Sequence, residues 1–151
     1  MEGDLLLRQA EALLEGEREL IPNLANLSAL LWSSMDRLNW AGFYLMKRGE
    51  LLLGPFQGKP ACIHIPLGKG VCGTAAERKE TLVVPNVHEF PGHIACDGAS
   101  RSEIVVPLLS GDNNVLGVLD IDSPCPARFA AEDAEVLEQL AGLIVSSCDW
   151  E

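Results

Sequence analysis

Three of the five cysteines of this chain, Cys62, Cys72 and Cys96, fall within thirty-five residues of one another. A cysteine does chemistry as its thiolate, so the local electrostatics decide whether any of them works. Cys96 lies in the polar segment Pro91-Gly92-His93-Ile94-Ala95-Cys96-Asp97-Gly98, where exposure and reactivity are expected. Cys72 follows Gly68-Lys69-Gly70-Val71 at the start of a short predicted helix, a position that lowers a thiol pKa. Cys148 falls on the apolar face of the last predicted helix and reads as a small core hydrophobe. Cys125, between Pro124 and Pro126, shows no partner. Cys62, His64, Cys72, His88, His93 and Cys96 have the ligand chemistry of zinc, but no pair has CxxC spacing, so no metal is expected.

Asp120 and Asp122 stand two apart in an apolar run, so both project from one strand face while Leu119 and Ile121 project from the other. Two readings follow: a solvated strand face, or a small anionic pocket for a cationic group that Glu103, on the preceding strand, would join. Trp40 and Tyr44 share a face by the same period, either as core packing or as a pocket wall. Gly68-Lys69-Gly70 is too short for a phosphate-binding loop, and neither GxSxG nor HExxH occurs.

The elements that must position these residues alternate in period. Leu6, Ala10, Leu13 and Leu14 recur at helical spacing in a first helix ending near 16–20, and Pro22 opens a second over 22–33 with Leu24, Leu27, Leu30 and Leu31 on its apolar face. Strands over 41–46 and 51–56 flank a turn at 47–50, and a short strand covers 62–66. A short helix reaches about Arg78, and a polar loop fills 85–101, long enough to suggest a functional role. A hairpin of 104–109 and 115–121 precedes the last helix, 131–148, which lacks a capping side chain at Ala130 but has Glu132 and Asp133 in its first turn. This order reads as α+β, with helices on an antiparallel sheet.

At 151 residues the chain fits one domain, 1–151, able to bury a core without disulfide staples. A net charge of −11 argues against nucleic acid and against an anionic membrane surface. The first twenty residues carry charges throughout and no signal-peptide core, and no apolar run approaches a membrane span, so a cytoplasmic, reducing location is expected.

Several segments together resemble the free methionine-(R)-sulfoxide reductases. They are Asn39-Trp40-Ala41-Gly42-Phe43-Tyr44-Leu45, Gly54-Pro55-Phe56-Gln57-Gly58, Gly70-Val71-Cys72-Gly73-Thr74-Ala75, Gly92-His93-Ile94-Ala95-Cys96-Asp97, Ser102-Glu103-Ile104-Val105 and Gly117-Val118-Leu119-Asp120-Ile121-Asp122-Ser123-Pro124. The resemblance covers essentially the whole chain. It implies a single GAF-type domain with a six-stranded antiparallel sheet flanked by helices, a homodimer, and reduction of the free amino acid with no bound cofactor. Thioredoxin would be the external reductant, supplied by NADPH through thioredoxin reductase. The same resemblance makes Cys96 the nucleophile, Cys62 the main resolving thiol and Cys72 a third cysteine able to share that role. Trp40 and Tyr44 would line the S-methyl pocket, while Glu103, Asp120 and Asp122 would hold the substrate's polar groups and help protonate the leaving oxygen. His64, Asn86 and Arg101 depart from the family pattern, where arginine, aspartate and asparagine are common. A different class of function, a stand-alone GAF module that binds a small ligand as a redox sensor, fits the same fold.

Overall fold

The computed structural model describes residues 2–93 and 98–150. Helices α1 (Gly3–Leu14) and α2 (Leu20–Ser34) precede strands β1 (Trp40–Lys47), β2 (Glu50–Gly58) and β3 (His64–Pro66). Helix α3 (Gly70–Arg78), strand β4 (Leu82–Val84), the hairpin β5 (Ser102–Leu109) and β6 (Val115–Ser123), and helix α4 (Ala131–Ser147) follow. The six strands form one sheet in the order β3-β2-β1-β6-β5-β4, and each neighbouring pair runs antiparallel. The α+β class is the one the sequence pattern implied, and the six strands are the number the family resemblance implied. No helix among the described residues is long and apolar enough to cross a membrane.

The period of two divides the chain into two cores. On one face Ala41, Phe43, Ile104, Val106, Leu108, Leu119 and Ile121 meet Leu6, Ala10 and Leu14 of α1, Leu24, Leu27 and Leu31 of α2, and Leu137, Leu140 and Ile144 of α4. On the other, Trp40, Tyr44, Val105 and Val118 meet Val71, Cys72, Ala75 and Ala76 of α3. Leu13, counted on the apolar stripe of α1, is instead exposed, because the helix buries only the narrower row Leu6, Ala10 and Leu14. The first helix also stops earlier than expected, at Leu14.

Local departures have local causes. Strand β3 begins at His64, so Cys62 lies in the connection before it and not within the strand as predicted. The three-residue β4 had no periodicity to reveal it; pairing of Leu82, Val83 and Val84 with Val105, Ile104 and Glu103 creates it. Part of the 85–101 loop is a short 3₁₀ turn, Val87–Glu89, in which the Asn86 side chain accepts from the His88 backbone N–H at 3.0 Å. Asp133 answers the uncapped start of α4 by accepting the Ala130 N–H at 2.8 Å, half of a capping box.

Candidate active site

Strand register builds the site. Trp40 of β1 lies opposite Asp122 of β6, and Asp122 lies opposite Glu103 of β5. One rung along, Gly42 faces Asp120, and Asp120 faces Val105. Period two therefore puts Trp40, Tyr44, Asp120, Asp122 and Glu103 on the face that α3 covers. Because β6 runs on to Ser123, Asp122 is held inside the sheet. Gly42 has a steric reason to be glycine: a Cβ there would come within 2.3 Å of the Phe56 Cβ. Phe56 can thus lie over β1 and stack on Trp40 with ring centroids 5.0 Å apart, while Trp40 stacks on Tyr44 at 5.8 Å. Gly73 does the same service for α3, where a Cβ would sit 2.4 Å from the Pro66 carbonyl oxygen.

The first turn of α3 brings Cys72 onto the carboxylates. Its Sγ lies 3.9 Å from Glu103 Oε2, and an Asp120 carboxylate oxygen lies within 4.8 Å of both. Cys72 and Asp120 are each 5% exposed and Glu103 is 7% exposed. Burial raises the Cys72 thiol well above its ordinary value, and the charges of Asp120, Glu103 and Asp122 raise it further. The expectation that a helix N-terminus lowers this pKa is therefore reversed: partial charges at one helix end lose to burial beside carboxylates. Burial likewise raises Glu103 well above the carboxylate range, aided by the neighbouring Asp120 and Asp122. Burial also raises Asp120, but hydrogen bonds from Glu103 and Cys72 oppose that shift. Glu103 is accordingly the proton holder of the cluster and Asp120 an acceptor.

These groups enclose a small cavity of about 40 Å³, lined also by Ala61, Ile65, Lys69, His93 and Ser100. The Trp40 indole N–H donates to the Lys59 carbonyl at 3.2 Å, and the Tyr44 hydroxyl donates to the Cys62 carbonyl at 2.9 Å. Tyr44 is raised by burial and by Asp120, so it stays a donor. Cys62 is disulfide-bonded, whereas Cys72, Cys125 and Cys148 are free thiols.

Residues 23–147 match the GAF domain family. Over 150 residues the chain is 52% identical to the free methionine-R-sulfoxide reductase of Saccharomyces cerevisiae, an alignment covering 95% of this chain and 83% of that one. The chain belongs to the free methionine-R-sulfoxide reductase family of GAF domains. It is also 53% identical over 135 residues to the protein of that name from Escherichia coli, covering 89% of this chain and 81% of the other. The structure of the Staphylococcus aureus fRMsr in complex with substrate matches with a TM-score of 0.92 at 52% identity, covering 97% and 95% of the two chains.

Of the residues that the family resemblance singled out, the fold brings Trp40, Tyr44, Cys72, Glu103, Asp120 and Asp122 together around one cavity. Cys62 adjoins them through the Tyr44 hydrogen bond. Cys96 and Asp97 lie outside the described residues. The three departures from the family pattern all lie off the cavity: His64 pairs with Glu50 at 2.9 Å, Asn86 caps the 3₁₀ turn, and Arg101 contacts His88 at 3.0 Å. Arg101 is thereby spoken for. His93 lines the cavity, but burial and then the His88 charge lower its pKa, so it brings no positive charge at neutral pH. Phe56 was not foreseen as part of the aromatic wall, because its place depends on which β1 residue it crosses.

Proposed function

We propose that this chain reduces free L-methionine-(R)-S-oxide to L-methionine. The observation that carries the reading is the convergence of Glu103, Asp120 and Asp122 with Cys72 on one buried cavity whose carboxylate wall adjoins an aromatic one, Trp40 and Tyr44. A zwitterionic amino acid with a short apolar end suits that pair of walls. Its ammonium group answers the buried carboxylates, and the Trp40–Tyr44 stack receives the S-methyl group. Full entry widens the present cavity, which at about 40 Å³ has room for about one or two water-sized groups.

Oxide is a poor leaving group, so attack at sulfur requires protonation of the sulfoxide oxygen. Glu103, which holds a proton above the ordinary carboxyl range, is the donor in this scheme. The Cys96 thiolate attacks the sulfoxide sulfur, the oxygen is protonated and transferred to the cysteine sulfur, and methionine leaves with Cys96 as the sulfenic acid. The Cys62 thiol then attacks that sulfur, expels water and forms a disulfide, which two electrons from thioredoxin reopen. Support for Cys62 as a resolving thiol comes from its being disulfide-bonded. Cys72 remains the alternative resolving thiol. The scheme includes a cytoplasmic homodimer without a bound cofactor.

The test is thioredoxin-coupled NADPH consumption with free methionine-R-sulfoxide and with its N-acetyl derivative. Turnover of the first and at least tenfold less of the second is expected, because the acetylated compound leaves buried carboxylates unanswered. Tight retention of a ligand with no turnover would instead favour the sensor.

A further inference from the structure

Cys72, Glu103 and Asp120 each offer one ligand atom, and the three atoms lie within 4.8 Å of one another. A tetrahedral ion bound at about 2.3 Å to sulfur and about 2.0 Å to oxygen holds such donors about 3.3 to 3.5 Å apart. The Cys72 Sγ to Glu103 Oε2 separation is already 3.9 Å, so that edge must shorten by only about 0.4 Å to meet the coordination geometry. A second observation is independent of the clustering. Asp120 Oδ1 is buried without any hydrogen-bond partner, on a residue that is 5% exposed and lines the cavity. An acceptor left open in that position is where a cation would be received.

We propose that Cys72, Glu103 and Asp120 form a binding site for one thiophilic divalent cation of the zinc class. The donor set chooses the metal. One sulfur and two carboxylate oxygens suit a small, borderline-soft ion, whereas calcium takes six to eight oxygens and magnesium an octahedral oxygen shell. Three protein ligands leave a fourth position facing the cavity, as in zinc sites that stay open to a small molecule. On coordination the Cys72 thiol and the Glu103 carboxyl each give a proton to solvent, so sulfur binds as thiolate and Glu103 as carboxylate; no electron is transferred. The site overlaps the cavity assigned above to substrate, so on that reading the ion and substrate exclude each other.

Cobalt(II) titrated into the oxidised protein, with Cys62 in its disulfide, reads the site directly. The expected result is a saturable thiolate-to-cobalt charge-transfer absorption at one equivalent, displaced by Zn²⁺ but not by Mg²⁺. Cys72→Ser should abolish the band and Asp120→Asn should raise the apparent Kd at least tenfold, whereas Cys125→Ser and Cys148→Ser should retain it. A measurement on the unaltered chain guards against a variant that fails to fold. One equivalent of Zn²⁺ should protect Cys72, but not Cys125, from alkylation as read by peptide mass. No saturable band, a band that survives in folded Cys72→Ser, or unprotected Cys72 would overturn the site. Failure here leaves the reductase reading standing, since turnover does not call on the ion. Absent turnover with intact metal binding would overturn only the reductase reading.

Discussion

Replacing Tyr44 by Phe removes one hydroxyl and keeps the ring that stacks on Trp40. That hydroxyl donates to the Cys62 carbonyl at 2.9 Å, holding the connection between β2 and β3 against the aromatic wall. Leu53 N–H donates to Ile63 O at 2.8 Å on the next residue, so the connection keeps a second tether in the variant. A neutral hydrogen bond of this kind contributes roughly 0.5–1.5 kcal/mol, which corresponds to a two- to twelvefold change in the population of the held position. In the proposed scheme Cys62 acts only after methionine has left, so the variant should separate the two steps. Single-turnover methionine release should stay within about twofold of the parent. Closure of the Cys62 disulfide should slow by roughly two- to twelvefold, read by acid quench, alkylation and mass spectrometry. Equal slowing of both steps would mean that the hydroxyl acts on substrate. Unchanged closure would mean that the tether does not position the thiol.

The remaining predictions concern charge, protons and thiols. Asp120→Asn should lower kcat/KM for free methionine-R-sulfoxide by roughly ten- to a hundredfold, the loss expected of one charge-assisted hydrogen bond, and should narrow the gap to the N-acetyl compound; an unchanged gap would contradict ammonium recognition. Glu103 is raised above its ordinary 4.5, first by burial and then by Asp120 and Asp122. A carboxyl raised by folding contributes stability fully below its unfolded pKa and loses that contribution as pH rises through the folded value. The parent Tm should therefore fall more steeply than that of Glu103→Gln as pH rises from about 5 to about 9, and parallel profiles would refute a protonated Glu103. Cys62→Ser should release close to one equivalent of methionine per chain and then stall, unless Cys72 resolves in its place, whereas Cys125→Ser and Cys148→Ser should keep turning over. Methionine release by Cys96→Ser in a single turnover would remove the nucleophile assignment.

What the sequence discloses here depends on how local the cause is. Asp120 and Asp122 flanked by Leu119 and Ile121 state their shared face directly, because strand period needs no partner to be read. The apolar rows of α2 and α4 are equally plain. Which strands those carboxylates neighbour is a matter of register, so the Phe56–Trp40 stack over Gly42 could not be read from the chain. Strand β4 has the same origin: three residues before a proline become a strand because β5 offers its edge. Cys72 shows a local rule overridden. Its place at a helix start predicts an acidified thiol, but burial under the finished sheet and then the carboxylates of β5 and β6, residues 103, 120 and 122, turn the shift upward. The five matching segments of the described chain identified the pocket residues because families preserve such non-local outcomes in short strings that a single strand's pattern does not encode.

The rung joining Trp40 to Asp122 and Glu103 also has a consequence for biosynthesis. Trp40 and Asp122 pair across the centre of the sheet although about 80 residues separate them along the chain. A growing polypeptide emerges N-terminus first, so the β1–β2 hairpin and the Cys62 and Cys72 thiols are outside the ribosome well before β6 exists. Until Asp122 arrives there is no carboxylate rung beside Cys72, and no nascent intermediate can carry the acid cluster. The thiols of an unfinished chain thus differ chemically from those of a finished one. Alkylation of stalled nascent chains should find Cys72 reactive in those ending before residue 123, and sluggish once the whole sheet has closed over it.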